Sequence, residues 1–231
     1  MVAPSDDEFA QELVSSLNER AAHLEAAATT PVDEPQIARD MSVRELLVRA
    51  ADLSAAAASL GASRNPAALA LISRSVLENL ITLLWVVISE DNAKELQAAV
   101  IGELARAARI NFEKGNARVV HKTTREDATK QTLQRDVFKN IVRRRSVEEQ
   151  AMLAGVAHLY DIFYRFFSVD THGFGPRETA SAERSQAAVV HMQGIGALTL
   201  ATGHVGVFWL LHRTRVDNES LRLLLGFGGE A

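Results

Sequence analysis

The chain of 231 residues has no cysteine, which excludes disulfides, thiol nucleophiles and thiolate zinc sites and makes a reducing, cytoplasmic setting the simplest expectation. Aromatic residues are scarce at 6%, with only two tyrosines and two tryptophans. No stretch shows the apolar/polar alternation of a half-buried strand, and no repeat of domain-building period is visible. The first residues, MVAPSDDEFA, carry neither a basic leader nor an apolar run, so a signal peptide is not expected. No H-E-x-x-H motif occurs, and His204 and His212 have no companion ligands, so no metal or cofactor site is expected. Gly194-x-Gly196 sits inside a helical run and does not follow a strand, so it is not a dinucleotide loop.

What remains is helical. Ser5 with Glu8, Ser42 with Glu45 and Ser146 with Glu149 each have the spacing of a capping box. Residues 29–40, with two prolines, read as a linker after a first helix. A second helix runs from Ser42 to a stop at Gly61, and Asn65-Pro66 opens a third that continues to Ser89. That third helix is apolar on nearly every side, so it belongs at the centre of a bundle. Asp91 is expected to cap a fourth helix ending at Gly115. A loop over 116–124 and then a further helix up to Arg145 are expected, another helix from Ser146 through the tyrosines, and a last one over 183–215. The expected fold is an all-α antiparallel helical bundle: an N-terminal helical arm and linker (1–40), the bundle (41–216) and a tail (217–231).

Residues 187–212 contain no Asp, Glu, Lys or Arg and are long enough to cross a bilayer. Their histidines, threonines and glycines fit better a buried helix that packs closely through Gly196, Gly203 and Gly206, so no membrane association is expected.

The net charge of −4 conceals a segregation. Residues 114–145 hold 10 Lys/Arg against 3 Asp/Glu, inside a chain that is acidic on both sides. Lys122, Arg125, Lys130, Arg135, Lys139, Arg143, Arg144 and Arg145 are therefore candidates to follow a phosphate backbone. A solvated face, or a docking strip for an acidic partner helix, is the competing reading. Phe138 is the only aromatic residue among them, so the segment offers no stacking platform.

The second concentration of chemistry is LYDIFYRFFSVDTHG, residues 159–173, which holds both tyrosines, three of the nine phenylalanines, Arg165 and His172. Histidine can donate or accept a proton near neutral pH, and an arginine fork matches phosphate oxygens. Ser168 and Asp170 lie between them and can orient the histidine or touch substrate. The structural alternative is an Asp161–Arg165 ion pair at i, i+4, His172 as a helix C-cap, and Tyr160, Phe163, Tyr164 and Phe167 as core. On the apolar third helix, Arg74 and Glu78 are also spaced to pair, facing either the core or that site.

The apolar helix with R-x3-E (SRSVLENLITLLWV) and the later tyrosine-rich helix ending in S-x3-H (YRFFSVDTHG) resemble the HEPN superfamily, in particular a bacterial HEPN-like branch of unknown function. The resemblance covers roughly residues 65–212. It implies a helical, homodimeric protein acting on RNA as a metal-independent ribonuclease of the toxin–antitoxin or phage-defence kind, with an antitoxin-like partner. Arg165 and His172 would be the catalytic pair, supported by Tyr164, Ser168, Asp170, Arg74 and Glu78. Phe166 stands where such nucleases commonly carry a polar residue. A non-catalytic helical module that binds a protein partner is the reading from another class.

Overall fold

The computed structural model describes residues 6–32, 37–164 and 181–211, and they form an all-α bundle. Four long helices make its centre: α1 (Asp6–Ala28), α2 (Ile37–Ala62), α3 (Pro66–Ile88) and, later in the chain, α9 (Ser181–Leu211). Two layers of core run along them. At one end Ala10 and Leu17 of α1 meet Ala57 and Ala58 of α2, Leu69 and Val76 of α3, and Met192 and Ile195 of α9. At the other end Leu24 of α1 meets Val43 and Leu47 of α2, Trp85 and Val86 of α3, and Val207 and Leu210 of α9. Chain order within the two layers fixes the directions: α2 is antiparallel to α1 and α3, and α9 runs parallel to α3.

The first helix is an integral member of the bundle. Leu17 and Leu24 are almost fully buried, Ser54 of α2 donates to the Leu17 carbonyl at 2.8 Å, and Arg20 donates to the Gly196 carbonyl of α9 at 3.1 Å. The apolar residues of this helix are therefore buried within the chain's own core.

α3 is the helix around which the others are arranged, as its composition predicts. Asn65 caps it by accepting from the Ala68 amide at 3.1 Å, with Pro66 in the first turn. Its polar residues point to specific partners. Asn79 donates to the Leu46 carbonyl at 2.9 Å, and the Thr82 hydroxyl lies 2.8 Å from Gln150 Oε1. Among the described residues α3 is also the one helix long and apolar enough to cross a membrane; the bundle buries 56% of that window. In the span singled out from the sequence, Gly206 is a true close approach: a Cβ there would stand 2.7 Å from Leu47 of α2. Gly196 has room for a methyl group.

Three boundaries differ from expectation. α2 begins at Ile37, so Ser42 and Glu45 lie inside it and form no capping box; Ser42 is buried beside Gln97. The free amides of its first turn, Ala38 and Arg39, instead donate to the carboxylate of Glu90 at 3.2 and 3.4 Å. α4 (Glu90–Glu113) is capped by Ser89, which accepts from the Asn92 amide at 3.1 Å, and Asp91 lies in its first turn. The basic segment is not a long helix. It holds an isolated bridge between Val120 and Asp127, then two short helices, α5 (Thr129–Leu133) and α6 (Asp136–Lys139).

The third capping box is present in both directions, with Ser146 N to Glu149 Oε2 at 2.7 Å and Glu149 N to Ser146 Oγ at 3.1 Å. It opens α7 (Val147–Leu153), which stops at Gly155 in the left-handed region (φ 71°). The chain resumes as a single turn, α8 (Ala157–Leu159), and a π-helical turn over Tyr160–Tyr164. The expected continuous helix from Ser146 through the tyrosines is therefore broken, because only glycine adopts that conformation without strain.

Candidate functional site

The tyrosine-bearing turn packs against the flank of α3. Leu77 and Ile81 of α3 form a small core with Ala151, and Leu159, Tyr160 and Tyr164 close over it. The two tyrosine rings stack at 4.4 Å with 19° between planes. This matches the core reading for the tyrosines. Phe163, by contrast, is 40% exposed and is not core.

Arg74 and Glu78 project from α3 toward the same turn. Their one-turn spacing gives an Nε to Oε1 contact of 3.1 Å, with both side chains about three-quarters buried. Arg74 also donates from Nη2 to the Tyr164 hydroxyl, and its guanidinium carbon lies 4.5 Å from the centroid of the Tyr164 ring. A desolvated cation over an aromatic face is stabilised by the ring quadrupole. Because the phenol oxygen accepts from Arg74, its own proton stays available for donation. The cluster thus presents a phenol donor and spare guanidinium N–H groups beside a carboxylate, a set suited to hydrogen-bonding a phosphate or another oxyanion.

Of the residues nominated from the sequence, the structure brings together Arg74, Glu78 and Tyr164. Arg165, Ser168, Asp170 and His172 lie outside the described residues, as do Phe167 and the far side of the Asp161–Arg165 pair. Tyr164 is the last described residue before Arg165.

All eight nominated basic side chains are exposed. The segment that carries them leaves α4 through Gly115 (φ 72°) and returns across the same helix. At the crossing, a Cβ on Gly102 would stand 2.7 Å from the Val142 carbonyl oxygen, so glycine is what admits the strand of chain there. Phe138 of α6 rests on Phe112 of α4, ring centroids 6.2 Å apart, and serves as packing. Arg145 grips Glu95 with two contacts, Nε to Oε1 at 2.6 Å and Nη2 to Oε2 at 3.0 Å. Hydrogen bonding to Glu95 raises the Arg145 pKa above its ordinary value. Its charge is thereby paired with a carboxylate of α4. The result is a basic strap pinned to α4 at Phe138, Gly102 and Arg145. Among the described residues no group of three or more His, Asp or Glu side chains is placed to hold a metal ion.

Two features escaped the sequence. Glu90 as a cap for α2 acts across 51 residues, beyond any local window. The cleft between α2 and α4 is formed by Met41, Val100 and Ile101, whose exposure is set by tertiary packing.

A family model described as a family of unknown function, DUF5677, matches residues 40–176, more than half of the chain. The match runs from the start of α2 through the segment with Arg165 and His172. No curated protein and no solved structure matches the chain.

Proposed function

The chain belongs to the DUF5677 family, and on that premise we propose that it is an HEPN-like protein acting on RNA as a metal-independent endoribonuclease. His172 is the acid/base group and Arg165 the stabiliser of the phosphorane, in a homodimer of the toxin–antitoxin or phage-defence type. The observation that carries this reading is the Arg74–Tyr164 contact, which anchors the residue preceding Arg165 to the central helix. A catalytic arginine needs a rigid supporting shell, and the Glu78–Arg74–Tyr164 chain supplies one on its N-terminal side. The exposed cations of the strap, Lys122, Arg125, Lys130, Arg135, Lys139 and Arg143, steer the polyanion.

The test is cleavage of a mixed RNA pool in EDTA by the purified wild type and by His172→Ala. The reading expects cutting by the wild type, none by the variant, and unchanged circular dichroism. No cutting by the wild type, or undiminished cutting by the variant, overturns it.

A second reading, a non-catalytic module for a protein partner, draws on a different observation. Met152, Leu153 and Ile162 are each more than half exposed, and Phe163 is 40% exposed, around the same turn. Such an apolar patch is the usual mark of an interaction surface.

A further inference from the structure

Between α2 and α4, with Thr82 of α3 in its lining, lies an open cleft of about 370 Å³. Its size falls in the roughly 300–1,000 Å³ range of small-molecule sites. Much of the wall is aliphatic: Leu46 and Leu96 are buried, while Met41, Val100 and Ile101 are 48%, 49% and 53% exposed, and Thr82 and Gln97 add polar groups to it. Two arginines also line it, Arg49 from α2 and Arg144 from the strap. Neither makes a salt bridge or a side-chain hydrogen bond among the described residues; Glu45 is the one carboxylate in the lining. Arg144 is held over the cleft by its neighbours, since the chain crosses Gly102 at Val142 and is clamped to Glu95 by Arg145.

We propose that this cleft binds a free aliphatic carboxylate, with the chain laid along Met41, Val100 and Ile101 and the head group between Arg49 and Arg144. Two guanidinium groups against one carboxylate leave a positive mouth, which complements a single anionic head. Aliphatic walls of Met, Val, Ile and Leu without an aromatic side chain suit a flexible alkyl chain better than a planar ring, and methionine adapts to its contour. A cleft of this volume admits a medium-length alkyl chain, for which decanoate is a suitable probe. The proposed site uses none of the residues assigned to the nuclease centre.

The test is isothermal titration of the full chain with decanoate, held below its aggregation concentration, with 1-decanol as the uncharged control. The expected result is saturable binding at one decanoate per chain and much weaker binding of decanol. Arg144→Glu and Arg49→Glu should each weaken decanoate about tenfold or more, as loss of a charge-assisted contact requires. Both side chains are exposed, so the fold should survive the changes. Val100→Trp, which fills the cleft from an exposed position, should abolish binding with the circular dichroism unchanged. Unsaturable uptake, equal affinity for decanol, or indifference to all three substitutions would overturn the proposal. So would sedimentation showing a dimer that Val100→Trp dissociates, because a second copy would then be the occupant.

Discussion

The Tyr164 hydroxyl receives a hydrogen bond from Arg74 while the Tyr164 ring lies under the same guanidinium, 4.5 Å from its carbon. One side chain of α3 therefore fixes both the height and the tilt of the turn that leads into Arg165. The two contributions separate by substitution. Tyr164→Phe keeps the ring and loses only the acceptor, and should cost about 1 kcal/mol. Arg74→Ala removes both and strands a mostly buried Glu78, and should cost about 2 kcal/mol or more. Urea unfolding of the two variants and of Arg74→Ala/Glu78→Ala measures this. The double variant should recover part of the loss, since the unpaired carboxylate goes with it.

Glu90 and the first turn of α2 explain how much of the fold was legible. The Ser146/Glu149 box could be read from four residues because each partner is local. Ser42/Glu45 had the same pattern and failed, because the carboxylate of Glu90 supplies the α2 cap from the start of α4 and lets the helix begin at Ile37. Asn65-Pro66, the apolar character of α3 and the Arg74–Glu78 pair were likewise local signals that survived packing. The helix expected after residue 124 is realised only as two short pieces, α5 and α6, although lysine and arginine have good helix propensity. Residues 114–145 have too few apolar positions to dock a helix, and α5 and α6 bury no residue. The link from Arg74 to Tyr164 spans 90 positions, and no spacing rule connects them.

Glu90→Gln should test the long-range cap. The amide keeps one acceptor oxygen but loses the charge that favours a helix N-terminus and the 3.5 Å contact with Arg39. The expected loss is about 1 kcal/mol, with hydrogen exchange accelerated first at Ala38 and Arg39. Uniform acceleration across the bundle would show that the carboxylate is not acting as a cap.

Gly206 faces Leu47 at a distance that leaves no space for a methyl group. Both sit in the fully packed layer with Trp85 and Val207. Gly206→Ala should destabilise by about 1–3 kcal/mol despite the better helix propensity of alanine. Adding Leu47→Ala should make the two effects less than additive, because the cavity left at Leu47 accepts the new methyl group. Thermal melts of the four proteins complete the cycle.

The Ser146/Glu149 box predicts an acid-sensitive start to α7. Hydrogen bonds from the Ser146 backbone and hydroxyl, with Arg143 and Arg145 nearby, hold the Glu149 carboxyl below its ordinary value. A carboxyl group with a depressed folded pKa contributes stability that is present above the unfolded value and lost as pH falls through the folded one. Below pH 4.5 the wild type should therefore lose stability more steeply than Glu149→Gln. Asp127, whose pKa is lowered by its hydrogen bonds with Thr129, acts in the same window within the strap. Comparing urea midpoints of wild type, Glu149→Gln and Asp127→Asn between neutral and acid pH distinguishes the two sites. Parallel curves for all three would mean that neither carboxylate carries the effect.

Salt dependence is the sharpest check on the strap as a polyanion surface. Arg145 spends its charge on Glu95 and Arg144 lies at the α2/α4 cleft, so Lys122, Lys130 and Lys139 are free to meet phosphates. Each phosphate neutralised on single-stranded RNA contributes about 0.7 to the slope of log K against log salt. Replacing all three lysines with alanine should lower that slope by about 2 and weaken binding about equally across RNA sequences, because point charges do not read bases. Glu95→Gln should leave the slope alone or raise it slightly, since it releases Arg145 from its clamp. A slope unchanged by the triple replacement would mean that the strap is a solvated face, and the RNA would then have to bind elsewhere on the bundle.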